Sequence, residues 1–82
     1  MYFIAYMYSK GLGVEENQEE SMNWYLKSAE AGYLSSMYNV GRRYELGNGV
    51  ERNTEKAIEW YQKAAKAGNK KAAERLAELT GT

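Results

Sequence analysis

The side chains that could perform covalent or acid–base chemistry in this sequence are Ser, Thr, Tyr, Lys and Glu. The 82 residues include no His, Cys or Asp, so all 11 acidic side chains are Glu. Without thiolate or imidazole, a structural zinc site and a nucleophile activated by His are excluded. Two Glu could form a glycosidase pair, but every Glu is at a position expected to be solvated, and none is expected beside an apolar pocket that would raise its pKa. We therefore expect no enzymatic activity, no metal site and no cofactor.

Two Gly-x-Gly segments, at residues 11–13 and 47–49, superficially suggest phosphate-binding loops. Such a loop follows a strand and precedes Lys-Ser or Lys-Thr, and neither condition is met here. Glycine adopts positive φ without steric cost, which suits a tight turn between two helices. The two segments therefore predict structural turns.

The overall charge is balanced, with 11 basic and 11 acidic side chains, which argues against a dedicated nucleic-acid binder. Residues 1–30 carry two basic and five acidic groups (−3), and residues 31–82 carry nine and six (+3). This asymmetry reflects either ordinary solvated helix faces or a preference for head-to-tail association or an acidic partner. No apolar run approaches the ~18 residues of a membrane helix, so no membrane insertion is expected. The absence of a signal peptide favours the cytoplasm, unless an upstream segment has been removed.

The sequence matches itself when it is shifted by 36 residues, which is typical of a repeat protein. The matching segments include Gly11–Val14 with Gly47–Val50, Trp24-Tyr25 with Trp60-Tyr61, and Gly32 with Gly68. We therefore predict two copies, at residues 1–32 and 33–68, followed by a capping helix at 69–82 that should end at Gly81.

Each copy predicts two helices and no strand. Apolar and small residues at 37, 40, 41 and 44 favour a helix over 34–46. Asn53 is the expected N-cap of a second helix, about 54–67, and Gly68 is its expected C′ residue. In the first copy, Asn17 and Glu20 have the spacing of a capping box, and Gly32 should end the helix.

This pattern resembles the Sel1-like repeat, a relative of the tetratricopeptide repeat. The second copy carries the resemblance at Ser36, Val40-Gly41, Tyr44, Gly47, Gly49-Val50, Ala57, Trp60-Tyr61, Ala64-Ala65 and Gly68. Glu15 and Glu51 stand where the family often has Pro, while Ala5, Ser21 and Ser28 replace preferred residues and should loosen packing. The resemblance implies an all-α, right-handed α/α superhelix of five helices that acts as an adaptor or scaffold for other proteins.

Four aromatic side chains are expected to fill the space beside the small residues of the helices: Trp24, Tyr25, Trp60 and Tyr61. The alternative is an aromatic cage that binds a ligand.

In tetratricopeptide-like folds, the first helix of each repeat lines a concave surface. Positions pointing away from the core residues Val40, Gly41 and Tyr44 predict a partner-binding face. This face comprises Tyr2, Tyr6, Ser9, Ser35, Tyr38, Arg42, Glu45, Lys71, Glu74 and Glu78. Tyr and Arg are enriched at binding hot spots. We expect a peptide or protein partner to dock here weakly, and a plain solvated face is the alternative.

Two other functions stay open. Arg42-Arg43 and Lys70-Lys71, with Tyr38 nearby, could bind RNA on a helical repeat, although nucleic acid is not the expected partner.

Self-association through the first helix is the other open function, because this helix is apolar almost all round. Phe3 and Met7 stand where the second copy has Asn39 and Arg43, so a homodimer or a longer solenoid could cover them. Ile4, which corresponds to Val40, should pack inward. A tolerated exposed end is the remaining explanation.

Overall fold

A computed structural model describes residues 2–11 and 17–81, with the side chains of all of these except Tyr2, Phe3 and Tyr8. Within these residues the chain forms five α-helices and no strand: α1 (Tyr2–Lys10), α2 (Gln18–Glu30), α3 (Leu34–Leu46), α4 (Thr54–Lys66) and α5 (Lys70–Thr80). Each helix packs against its neighbours along the chain, in a stack that measures 41 × 22 × 16 Å. The predicted all-α architecture, two helix-turn-helix units followed by one capping helix, is confirmed.

The helix ends follow the local sequence signals. Asn17, Asn53 and Asn69 cap α2, α4 and α5, because each side-chain oxygen accepts a hydrogen bond from the backbone N–H three residues later. Gly47 ends α3 and Gly81 ends α5, both in the left-handed conformation with φ of +73°. The predicted bounds of α3 are confirmed, and α4 ends at Lys66, one residue before the predicted end.

The core depends on one close approach between α3 and α4. Tyr61 is fully buried, and its ring lies against Gly41. A Cβ added at Gly41 would lie 2.7 Å from Cε1 and 2.8 Å from Cδ1 of this ring. Real Cβ atoms do not approach so closely, so the absence of a side chain at Gly41 allows Tyr61 to occupy its site.

Arg43 is an unexpected member of the interior, because only 5% of it is exposed. Its guanidinium donates to oxygens from three helices and a loop: Ser9 Oγ on α1, Gln18 Oε1 and Ser21 Oγ on α2, Asn39 Oδ1 on α3, and the Asn48 carbonyl. The guanidinium carbon also lies 4.9 Å from the Tyr25 ring centroid. Burial lowers the pKa of Arg43 from its usual value. These contacts tie α1, α2 and α3 together.

The serines that replace preferred small residues are fully buried, and each has a hydrogen-bond partner. Ser21 is fully buried, and its hydroxyl donates to the Ala5 carbonyl at 2.7 Å. Ser28 and Ser36 are also fully buried, and their hydroxyl oxygens lie 2.6 Å apart. Because each hydroxyl has a hydrogen-bond partner, its burial carries little penalty.

The prediction that all four repeated aromatic residues form the core is wrong for the tryptophans. Tyr25 and Tyr61 are buried, whereas Trp24 and Trp60 are only partly buried at the edge of the core. In each repeat a lysine three residues later, Lys27 or Lys63, places its ammonium 4.5 Å from the tryptophan ring centroid. The outer face of each indole is thus shared with a cation.

Ile4 does not pack inward as predicted, since 38% of it is exposed while the neighbouring Ala5 is fully buried. Its counterpart Val40 is fully buried, because α3 packs between α2 and α4. Among the described residues, α1 has a comparable packing partner only in α2, so Ile4 is covered from one side.

Candidate functional site

The groove between α3 and α5 brings together much of the predicted partner-binding face. Tyr38 on α3 and four residues of α5 line a surface cavity of about 330 Å³: Lys71, Glu74, Arg75 and Glu78. Their spacing places these four side chains on one side of α5, while Ala72 is fully buried against the core. The name "α3–α5 groove" below denotes these five lining residues together with Arg42 and Glu45.

An ion-paired network fixes one wall of the α3–α5 groove. The Oε1 atom of Glu45 accepts hydrogen bonds from the Tyr61 hydroxyl at 2.8 Å and from Arg75 Nε at 2.9 Å. The other carboxylate oxygen of Glu45, Oε2, forms an ion pair with Arg75 Nη2. Arg75 also pairs with Glu78 within α5. Glu45 therefore connects the core tyrosine to the capping helix.

The pKa values of this network shift in the directions that its hydrogen bonds require. The hydrogen bond from Arg75 holds the pKa of Glu45 below its usual value. Burial, and then the hydrogen bond to the Glu45 carboxylate, raise the pKa of Tyr61 well above its usual value. Glu45 is therefore a carboxylate, and Tyr61 a neutral donor, at neutral pH.

Tyr38 presents a supported aromatic surface at the centre of the α3–α5 groove. Its ring centroid lies 5.8 Å from that of Tyr61, with the two planes inclined by 43°. Arg42, one turn later on α3, is exposed, and its interaction with the Tyr38 side chain raises the pKa of the guanidinium. Tyr38 is therefore held from below by a core ring and from the side by a cation.

The remaining charges of the α3–α5 groove are free to meet a partner. Among the described residues, no ion-pair partner lies within 4 Å of Arg42, Lys71 or Glu74. The groove thus combines one aromatic surface, two cations and one carboxylate, all with open access. Such an arrangement has the chemistry to bind a polypeptide segment.

Other predicted face residues lie elsewhere. Ser35 lines a separate cavity at the turn before α3, together with Gly32, Tyr33 and Leu34. Tyr6 is 38% exposed on α1, and Ser9 accepts a hydrogen bond from the buried Arg43. The side chain of Tyr2 lies outside the described residues.

Of the two residues predicted for self-association, Met7 has a described side chain. Met7 is half-buried on α1. The side chain of Phe3 lies outside the described residues, so the proposed α1 face is seen only in part.

Sequence reasoning missed Arg75 and misplaced Arg43. Arg75 is absent from the predicted face, yet it donates a hydrogen bond to Glu45 of the neighbouring repeat. Its spacing to Glu78 is a local ion-pair signal, but nothing local indicates Glu45. Arg43 was placed in a basic surface cluster, and its burial removes it from that cluster, leaving Arg42, Lys70 and Lys71.

No helix among the described residues is long and apolar enough to cross a membrane. In the part of the chain that the structure describes, no group of three or more acidic side chains is arranged to hold a metal ion.

The comparisons with known proteins agree with this architecture. The family model described as "Sel1 repeat" matches residues 1–33 and again 34–69. A Sel1 repeat protein from Oxalobacter formigenes has a crystal structure that matches with a TM-score of 0.92 at 44% identity, over 96% of this chain and 32% of that one. The protein c5321 of uropathogenic Escherichia coli, a protective antigen with an SLR fold, matches with a TM-score of 0.92 at 35% identity, over 95% and 17%.

A more distant neighbour supports the fold alone. Cysteine rich protein B of Helicobacter pylori matches with a TM-score of 0.89 at 23% identity, over 92% of this chain and 56% of that one. A search of curated proteins finds no match. The chain spans about a third of the Oxalobacter protein and about a sixth of the Escherichia protein.

Proposed function

Because the chain belongs to the Sel1 repeat family, whose members generally mediate protein interactions, we propose that it is an interaction module that binds a peptide or partner-protein segment in the α3–α5 groove. Proteins of this family typically serve as scaffolds and not as enzymes. The role proposed for this chain is accordingly that of an adaptor, with no cofactor.

The observation that carries the proposal is the positioning of the Tyr38 and Arg42 side chains in the α3–α5 groove. The Tyr38 ring packs at an inclined angle against the buried Tyr61 ring, and Arg42 interacts with the Tyr38 side chain, so Tyr38 is already positioned when a partner arrives. Preorganisation of this kind lowers the entropic cost of binding. Tyr and Arg are also among the residue types that contribute most at interfaces.

The fold does not require these two residues to be what they are. The network of Glu45, Tyr61 and Arg75 already joins α3, α4 and α5 beneath them. Arg42 is exposed and has no ion-pair partner among the described residues. Tyr38 packs against the core on one side only, so an aromatic surface and an exposed arginine beside a cavity favour a role in recognition.

Peptide selection tests the proposal. A phage-displayed random peptide library is panned against the wild-type chain, and the selected peptides are measured by isothermal titration calorimetry. Tyr38→Ala with Arg42→Ala should weaken binding at least about tenfold, as expected when two hot-spot side chains are lost. The matched control, Tyr33→Ala with Arg52→Ala, removes an exposed tyrosine and an exposed arginine outside the groove and should change affinity less than about twofold.

Either of two results would overturn the proposal. One is that the groove pair and the control pair affect the selected peptides equally. The other is that folded wild-type protein, checked by circular dichroism, selects no peptide with measurable affinity.

Self-association through α1 is a second candidate, favoured by the 38% exposure of both Ile4 and Tyr6 on this helix. Phe3→Asn with Met7→Arg introduces the residues that the second repeat uses at these positions. Sedimentation velocity at about 100 μM should show an associating wild-type chain and a folded, monomeric variant. A monomeric wild-type chain would contradict this candidate.

A further inference from the structure

Some charged side chains of the α3–α5 groove form ion pairs, and others have no ion-pair partner among the described residues. Arg75 meets both Glu45 and Glu78, so these three charges are occupied with one another. Two cations, Arg42 and Lys71, and one anion, Glu74, have no ion-pair partner within 4 Å among the described residues. The ion-paired set carries 1 − 2 = −1 and the unpaired set carries 2 − 1 = +1, so the groove as a whole is neutral and its unpaired positive charge is local to Tyr38: Lys71 lines the same cavity, and Arg42 interacts with the Tyr38 side chain.

The positive charge continues beyond the α3–α5 groove. Residues 66–71, from the end of α4 into α5, include Lys66, Lys70 and Lys71 and no acidic side chain. The equivalent segment of the first repeat, residues 30–35, has Glu30 as its only charge. The first turns of α2 and α4 carry acidic side chains, whereas that of α5 carries two lysines. Lysine at this position opposes the helix dipole, so these lysines do not serve the stability of α5.

From these charges we propose that the segment bound in the α3–α5 groove is an acidic peptide, whose carboxylates meet Arg42 and Lys71 on the two sides of Tyr38. This inference rests on the proposed function and specifies its partner. Apolar atoms of the peptide cover the Tyr38 ring, and carboxylates replace the water now solvating the two cations. Lys70 extends the path toward the turn before α5.

A peptide fits this surface better than a nucleic acid does. Glu74 and Glu78 line the same cavity and would repel a continuous phosphate backbone, whereas a peptide can place neutral residues there. Among the described residues, Tyr38 is the only aromatic side chain lining the cavity, so successive bases would find no second described ring to stack on. Arg43, which would have enlarged the basic surface, is buried.

A matched set of peptides tests the charge requirement. The probe is a fluorescein-labelled dodecapeptide of Leu, Ala and Glu, compared with the same peptide carrying Gln, or Lys, at every Glu position. Fluorescence anisotropy with the intact chain should show the Glu peptide binding at least about fivefold tighter than the Gln peptide at about 50 mM salt, and the difference should shrink at about 300 mM salt. The Lys peptide should bind weakest.

Two single variants locate the charge effect. Lys71→Gln should weaken binding of the Glu peptide about two- to fivefold and leave the Gln peptide unchanged, as expected for one exposed charge pair. Lys66→Gln removes the same charge from the last turn of α4, outside the groove, and should have an effect smaller than about 1.5-fold. Circular dichroism should show that both variants stay folded, because both side chains are exposed.

The possible failures are distinguishable. Equal binding of the Glu and Gln peptides, or equal effects of Lys71→Gln and Lys66→Gln, would overturn the acidic partner. If library-selected peptides still lost affinity with Tyr38→Ala and Arg42→Ala, the proposed function would survive that result. An oligouridylate that bound more tightly than the Glu peptide and was weakened by Lys71→Gln would replace the acidic peptide with RNA. Wild-type dimerisation that Lys71→Gln abolished would replace it with a second copy of this chain.

Discussion

The hydroxyl groups of Ser28 and Ser36 share one hydrogen bond, with 2.6 Å between their oxygens, in a fully buried contact between α2 and α3. The equivalent positions 36 residues later are Ala64 on α4 and Ala72 on α5, which are also fully buried. One backbone geometry therefore accepts either a paired polar contact or an apolar one.

Breaking the serine pair should be more harmful than removing it. Ser28→Ala leaves the Ser36 hydroxyl buried without its partner, and we expect a loss of about 1–3 kcal/mol in the free energy of unfolding. Ser28→Ala with Ser36→Ala reproduces the alanine pair and should cost about 1 kcal/mol or less. Urea denaturation of the wild type, both single variants and the double variant measures the coupling. Simple additivity of the two single effects would contradict this account.

Arg43 and Arg42 are adjacent in sequence but should differ in their contribution to stability. Arg43→Ala removes a buried side chain with partners on three helices, and we expect a loss of about 2–4 kcal/mol. Arg42→Ala removes an exposed side chain and should change stability by less than about 0.5 kcal/mol. Thermal melts followed by circular dichroism compare the two, and similar melting temperatures would show that the Arg43 contacts contribute little.

Gly41→Ala should be destabilising even though alanine is the better helix former. The added Cβ would lie 2.7 Å from the buried Tyr61 ring, and we expect a cost of about 1–3 kcal/mol. In a Tyr61→Leu background the ring carbons are absent, so the same substitution should cost less or stabilise the helix. A cost that is unchanged in this background would place its cause away from Tyr61. The measurement is urea denaturation of the four proteins.

Acidification should weaken the connection between α3 and α5. The pKa of Glu45 is lowered in the fold by its hydrogen bond from Arg75, so its contribution is present above the unfolded pKa of about 4.3 and is lost as pH falls through the lower, folded pKa. Glu45→Gln should therefore lose less stability than the wild type between about pH 5 and pH 3. Glu74→Gln, which removes a carboxylate with no ion-pair partner among the described residues, should follow the wild-type profile. Parallel profiles for the wild type and Glu45→Gln would argue against this role.

The sequence predicted the helices well because their signals are local. Gly47 and Asn53 act on the backbone within a few residues. The capping rules were therefore enough to place the C-terminal end of α3 and the N-terminal end of α4. The 36-residue repeat then carried the same assignments to the other copy.

The interior polar contacts and the groove wall could not be predicted in the same way. Arg43 reaches oxygens on α1 and α2, up to 34 residues away, and its equivalents in the sequence are Met7 and Leu79. Glu45 and Arg75 are 30 residues apart, on helices that meet only after the chain has turned twice. Which side chain turns inward depends on the neighbouring helices, and a helical period alone does not contain that information. The equivalence of Ile4 with Val40 failed for this reason.

The most direct test of the central claim, that the α3–α5 groove is the binding surface, is an amide chemical-shift map of the uniformly ¹⁵N-labelled chain titrated with a library-selected peptide. The account predicts that the largest shifts cluster at Tyr38, Arg42, Lys71 and Glu74. Residues on the outer sides of α2 and α4, such as Trp24 and Trp60, should change little. Largest shifts at those two helices, or at the turn cavity beside Tyr33, with the groove unperturbed, would contradict it.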